Sequence, residues 1–210
     1  MDKLFIFAYP HPVFFDNPPS SKWSSCEIDK LNEAIEIRYR DDGFRVGFVV
    51  YNNLPIDPRI DYRAEDLVIS DGQDVTIHHN KGEIRRNSDN ELAYTPAAYV
   101  AKKIPQNSIL RIGGFHLNDC VEKISSAAYG LGHDVIVDEE LTELYKILRP
   151  KDNFNPTTYP SVNRLRYFLD EASDPFLLKY FLKSRTLKPW LYNWREHPDT
   201  QKILSGAQLD

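Results

Sequence analysis

Residues 108–137 constrain the fold more tightly than any other stretch of the chain. Ser108-Ile109-Leu110-Arg111-Ile112-Gly113-Gly114 reads as a buried strand that ends in glycines. Val121, Ile124, Ala128 and Leu131 come next at 3- and 4-residue spacing, one stripe of a helix, which Leu131-Gly132 closes. Asp134-Val135-Ile136-Val137 is a second strand. Strand, helix and strand with a short crossover read as a βαβ unit, whose strands run parallel and whose crossover should be right-handed. A parallel sheet buries both faces under helices, so the rest of the chain has to supply more strands and more covering helices.

It does so in the same alternation. Leu4-Phe5-Ile6-Phe7 reads as a buried strand. Ile28, Leu31, Ile35 and Tyr39 mark a helix that Asp41-Asp42-Gly43 ends. Residues 45–51 (RVGFVVY) are apolar on both faces, as a covered strand is. Between residues 52 and 73 the reading stays open. Leu67-Val68-Ile69 and Val75-Thr76-Ile77 either form a hairpin about Asp71-Gly72, or only the second joins the sheet. Residues 80–93 read as a polar loop. Thr95-Pro96 predicts an N-cap and first helical residue for a helix reaching about Lys103. Asp138-Glu139-Glu140 predicts a further helix start, with Leu141, Leu144, Tyr145 and Leu148 as its apolar face. The expected architecture is α/β: a three-layer, doubly wound parallel sheet of five or six strands over residues 1–150. Residues 151–210 form an expected C-terminal helical, aromatic-rich extension, with Trp190, Tyr192 and Trp194, that packs on the body or on a partner subunit.

Composition narrows the function classes. The 210 residues carry 26 Lys plus Arg against 31 Asp plus Glu, a net charge of −5, which argues against a general nucleic-acid or anionic-membrane binder. No apolar run approaches the roughly 18 residues of a membrane span, and Leu4–Ala8 is too short for a signal core. With 2 cysteines there is no disulfide framework, so a reducing cytoplasm is the expected setting. The chain contains no G-x-G-x-x-G, no G-x-x-x-x-G-K-[ST] and no G-x-S-x-G, so no cofactor is expected. His78 and His79 are neighbours on a strand and point to opposite faces, so no metal site is expected there.

One cysteine stands out. Cys120 lies just past a glycine-ended strand and at the opening of a helix. Unpaired N–H groups and the dipole at a helix start lower a thiol's pKa, and they stabilise a developing oxyanion. In open α/β sheets the crevice beyond the strands' carboxyl ends is where ligands bind. The bland alternative is a small buried side chain, the common fate of a free cysteine. Nothing comparable recommends Cys26.

Gly114-Phe115-His116-Leu117-Asn118-Asp119-Cys120-Val121 resembles the signature of the isochorismatase-like cysteine hydrolases, a glycine and short turn before a Cys-Val pair that opens a helix. Further along, Ala127-Ala128, Leu131-Gly132, Val135-Ile136-Val137 and Asp138 are similar to that family's small-residue pair, glycine turn, apolar strand and acidic residue. The resemblance is specific over about residues 109–140. It implies a doubly wound sheet and hydrolysis of a small amide or vinyl-ether-like substrate by a Cys nucleophile, with an Asp after the first strand and a Lys after the third. This chain departs from the pattern at both partners. Ala8 stands at the Asp position, ahead of Tyr9-Pro10-His11-Pro12, and His79 and Lys81 lie near the Lys position. The expected catalytic set is therefore Cys120 with His11 or His79 as a non-standard base, since imidazole can serve a thiol. Tyr9, Phe115, His116 and Lys81 are the expected substrate-binding residues. The alternative is a catalytically inactive relative acting as a binding or assembly protein. Either is expected to be a homo-oligomer without nucleic-acid or membrane partners. The plainer readings are a rigid loop residue for His11, solvent-facing polarity for His78-His79 and a turn hydrogen bond for His116.

Overall fold

The computed structural model describes residues 2–16, 25–78, 83–115, 117–142 and 188–191. Five strands form one parallel sheet: β1 (Lys3–Ala8), β2 (Arg45–Val50), β3 (Leu67–Ser70), β6 (Ile109–Gly114) and β7 (Asp134–Thr142). Their spatial order is β3-β2-β1-β6-β7, so the order reverses between β1 and β6. The helical elements are α1 (Pro12–Asp16), α2 (Ser25–Ala34) running on as a π-helical turn over Ile35–Arg40, α3 (Ala97–Lys103), and a π-helical segment (Leu117–Val121) that leads into α4 (Glu122–Gly130). The chain is an α/β fold of the doubly wound kind that the sequence predicts.

Alternation along the strands builds two cores. In β1, Leu4, Ile6 and Ala8 face one side and Phe5 and Phe7 the other. The first set packs with Val49, Leu110, Ile112, Val100 of α3 and Ile124 and Ala128 of α4. The second packs with Val46, Phe48, and Ile28, Leu31 and Ile35 of α2 and its π-helical turn. A period-2 strand with apolar residues on both faces is what a sheet covered on both sides requires. At the far end of β1, Ala8 pairs with Gly114. Gly114 has φ +120°, and a Cβ there would run into the Ala8 backbone. Only glycine lets β1 and β6 close up at the reversal point.

Several sequence expectations need correcting. The third sheet strand is Leu67–Ser70, paired to β2, not Val75-Thr76-Ile77. The latter belongs to β4 (Val75–His78), which pairs antiparallel with β5 (Glu83–Arg86) as a separate hairpin. β5 also falls inside the stretch read as a loop. Its mixed Glu-Ile-Arg-Arg sequence carries no alternation strong enough to announce a strand. Asp138 does not start a helix, because β7 continues through it to Thr142. Its carboxylate is buried and paired with Arg38 Nη1 at 3.0 Å, and the Tyr39 hydroxyl donates to it at 2.5 Å. A carboxylate with a buried cation and a phenol to meet need not seek a helix dipole. Leu141 is accordingly a strand residue in the second core, while Leu144, Tyr145 and Leu148 lie outside the described residues.

Of the C-terminal stretch, residues 188–191 are described. The Trp190 carbonyl accepts from Val137 N–H at 2.8 Å on the outer strand β7. Leu191 is buried in the first core, and Lys188 pairs with Glu122 at 2.7 Å. The aromatics Tyr192 and Trp194 lie outside the described residues.

Candidate functional site

The reversal between β1 and β6 is the crevice that doubly wound sheets use for ligands. Cys120 lies at that end of the sheet, in the π-helical segment after β6, and is buried. Such single-turn π segments recur at functional sites, because the widened turn re-aims one side chain. From β1 comes Tyr9, fully buried, with φ at +59°. A left-handed backbone on a bulky residue costs about 1–3 kcal/mol and persists only where the surroundings enforce it. Here the Tyr9 N–H donates to Val49 O at 2.8 Å, and the ring stacks on Tyr51 with centroids 4.5 Å apart.

The third contributor is Asp71, directly after β3. It is buried, and its Oδ2 accepts from the Tyr9 hydroxyl at 3.0 Å. Gln73 N–H donates to its Oδ1 at 2.8 Å, and Gln73 Nε2 reaches on to the Tyr94 carbonyl at 3.0 Å. That bridge ties the Asp71 turn to the segment carrying Thr95. Burial pushes the Asp71 carboxyl above its ordinary range, against the hydrogen bonds from Gln73 and Tyr9 that favour its charge. Burial pushes both phenols well up as well, and the charges of Cys120 and Asp71 add to the rise at Tyr9 and at Tyr51. Cys120, in the π-helical segment after β6, and Asp71, just past β3, thus act on the same pair of rings. At the rim, Lys123 pairs with Asp119 and lies 4.8 Å from the centroid of the exposed Tyr94 ring. Asp119 holds the Lys123 ammonium above its usual pKa.

The sequence-predicted residues divide. Tyr9 and Cys120 share one cluster. His11 is fully buried, but both ring nitrogens are engaged by backbone. Nε2 accepts from Tyr51 N–H at 3.1 Å, and Nδ1 therefore carries the proton it donates to Pro55 O at 2.8 Å. Burial pushes its pKa down to about 4, so the ring is neutral and spoken for at pH 7. Phe115 points to the opposite side of the sheet, edge-on to Phe15 and Phe7 and stacked with Phe14. It is a member of the second core, away from the layer holding Cys120. His79, Lys81 and His116 lie outside the described residues. Tyr51, Asp71 and Thr95 escape a reading of the sequence. Asp71-Gly72 carries a turn signal that masks any other role, and a tyrosine ending a buried strand looks like core.

A cavity of about 270 Å³ opens beside His11, with Val13, Asp16, Leu54 and Ile77 in its walls. Cys120 is not among them. Among the described residues no group of three or more His, Cys, Asp or Glu is placed to hold a metal ion. No helix among them is long and apolar enough to cross a membrane.

No family model matches the sequence, and no curated protein does. Solved structures do match. A pyrazinamidase of Pyrococcus horikoshii, in complex with zinc, is similar at 14% identity and TM-score 0.46, over 70% of this chain and 88% of that one. A crystal structure described as an isochorismatase family protein is similar at 16% identity and TM-score 0.43, over 67% of this chain and 80% of that one. N-carbamoylsarcosine amidase from Thermoplasma acidophilum is similar at 15% identity and TM-score 0.41, over 81% of this chain and 92% of that one.

Proposed function

We propose that the chain is a cysteine hydrolase of small amides, or of similarly compact vinyl-ether-like substrates, with Cys120 as nucleophile and Asp71 as general base acting through Tyr9. One observation carries the reading: Cys120 shares the buried Tyr9–Tyr51 pair with Asp71, whose carboxyl is raised by burial, at the reversal point of the sheet. A carboxyl raised towards neutrality is suited to taking and returning a proton. In the proposed step the Cys120 thiol gives its proton to the Tyr9 oxygen as the Tyr9 proton passes to Asp71. One negative charge then moves from carboxylate to sulfur, and the cluster never holds two. The sulfur attacks the amide carbon, an S–C bond forms, and the C–N bond breaks as the nitrogen takes the proton back along the same path. Water releases the acid from the thioester and restores the thiol. His11 has no part in this, because its donor and its acceptor are both engaged by the backbone.

A second reading is a binding protein without turnover. It is favoured by the end of β1, where Ala8 and a strained Tyr9 stand in place of the carboxylate that the resemblance implies. Ammonia release from a panel of small primary amides separates the two. Turnover should vanish in Cys120→Ala and fall about 100-fold or more in Asp71→Asn. Binding of an amide with no release of ammonia, or release that survives Cys120→Ala, would overturn the hydrolase.

A further inference from the structure

The cavity beside His11 is open space that the Cys120 cluster does not use. It holds about 270 Å³, and Cys120, Tyr9 and Asp71 are not among its walls. Val13 and Asp16 come to it from α1, Leu54 from the loop after β2, and Ile77 from β4. Pro12 and Pro55 stiffen two of the walls, because the ring of each fixes its backbone. The lining is apolar apart from His11 and Asp16. His11 has no hydrogen bond left to give a ligand, since its donor meets Pro55 O and its acceptor meets Tyr51 N–H. It offers ring carbons alone.

Asp16 differs. Its Oδ1 accepts from Arg59 Nη2 at 2.9 Å, and its side chain is 37% exposed. Arg59 is bound more fully to Asp57, whose side chain is 0% exposed, through Nε at 2.8 Å and Nη2 at 2.6 Å. One guanidinium therefore serves two carboxylates, and these three groups together carry a net charge of −1. No donor among the described residues meets Asp16 Oδ2. An apolar cavity with one partly compensated carboxylate in its wall selects a ligand that is apolar and cationic. A neutral ligand forgoes the charge-assisted hydrogen bond, and an anion is repelled.

We propose that this cavity binds a small organic amine, with its apolar body against Val13, Leu54 and Ile77 and its ammonium on the Asp16 carboxylate. The volume lies just under the roughly 300–1,000 Å³ of sites for drug-sized ligands, which limits the amine to a single ring or a short chain. The assignment does not depend on the hydrolase reading, because an amine has no acyl carbon for a thiol to attack.

Benzylamine is the probe, with benzyl alcohol as its neutral counterpart and benzoate as its charge-reversed one. Binding is read from the methyl resonances of Val13, Leu54 and Ile77, which the ring current of a bound phenyl displaces. Benzylamine should shift all three with Kd of roughly 0.1–1 mM. Benzyl alcohol should bind about 5- to 10-fold more weakly, the loss expected for a charge-assisted hydrogen bond at a partly exposed carboxylate, and benzoate should not bind. Asp16→Asn should bring benzylamine down to the affinity of benzyl alcohol and leave benzyl alcohol unchanged, since Arg59 keeps Asp57. Ile77→Trp should fill the cavity and abolish binding of both, and Val13→Phe provides the same test if Ile77→Trp does not fold. No shift at about 10 mM benzylamine would overturn the proposal. So would equal affinity for the amine and the alcohol, benzylamine binding that survives Asp16→Asn, or shifts confined to other methyl groups. Ammonia release from amides and alkylation of Cys120 decide the hydrolase separately, and either result there leaves the amine site standing.

Discussion

His11 shows how much a single residue's surroundings decide. A histidine between two prolines at the end of the first strand is an attractive base for a nearby thiol, and its burial alone does not argue against that. Its partners do. Accepting from Tyr51 and donating to Pro55 fixes one neutral tautomer, and burial holds the pKa near 4, below the ordinary 6.5. Between those two values the unfolded chain binds the extra proton and the folded chain does not. This ring's contribution to stability is therefore full above about pH 6.5 and is lost as pH falls towards 4, about 3 kcal/mol over the window. NMR titration of the His11 ring should give a midpoint near 4 with the native fold intact. A midpoint near 6.5 would show a ring free to serve as a base. Asp71 shifts the other way for the same cause, burial. Its raised carboxyl favours the folded state below the unfolded pKa and loses that contribution as pH rises through the folded value.

At the scale of elements, the central parallel strands were legible because both faces of each must be apolar, while the edge strand β3 was not singled out. Leu4–Phe7, Arg45–Val50 and Ile109–Gly114 read out that demand directly. Elements whose stability comes from long-range polar pairs were not legible. Asp138 looks like a helix start until Arg38 and Tyr39, about a hundred positions earlier in the chain, are seen to meet it. These contacts fasten the π-helical turn after α2 to β7. With Arg38 and Asp138 side chains 7% and 2% exposed, replacing the carboxylate takes a charged acceptor from a buried cation and from the Tyr39 hydroxyl. Asp138→Asn should lower stability by about 3–5 kcal/mol in urea unfolding. A change below 1 kcal/mol would mean that water reaches Arg38 freely. The same limit explains the site. The segment around Cys120 announced itself through its glycines and its Cys-Val pair, whereas Asp71 and Thr95 belong to turns whose residue types serve many purposes. Only the folding of β3 beside β2 and β2 beside β1 brings Asp71 to Tyr9, and no local spacing records that.

Across the whole molecule, the strand order assembles the site from three separate parts of the chain. Residue 9 comes after β1, residue 71 after β3 and residue 120 after β6, and all three converge because parallel strands present their carboxyl ends on one edge. On the outer strand β7, the Val137 N–H is met by the Trp190 carbonyl, so that donor at the sheet edge is not left open. A thiol deprotonated by a carboxylate three strands away, through a tyrosine on the strand beside it, is the arrangement this topology permits and an isolated loop does not. Its most direct test is the pH profile of iodoacetamide alkylation at Cys120, in a Cys26→Ser background, for the wild-type site and for Asp71→Asn. With Asp71 as base, alkylation persists through neutral pH with its lower limb set by the Asp71 carboxyl. Asp71→Asn abolishes that limb and leaves a thiol that reacts only as pH approaches about 8.5 or above. Superimposable profiles for the two proteins would contradict the Cys120–Tyr9–Asp71 relay.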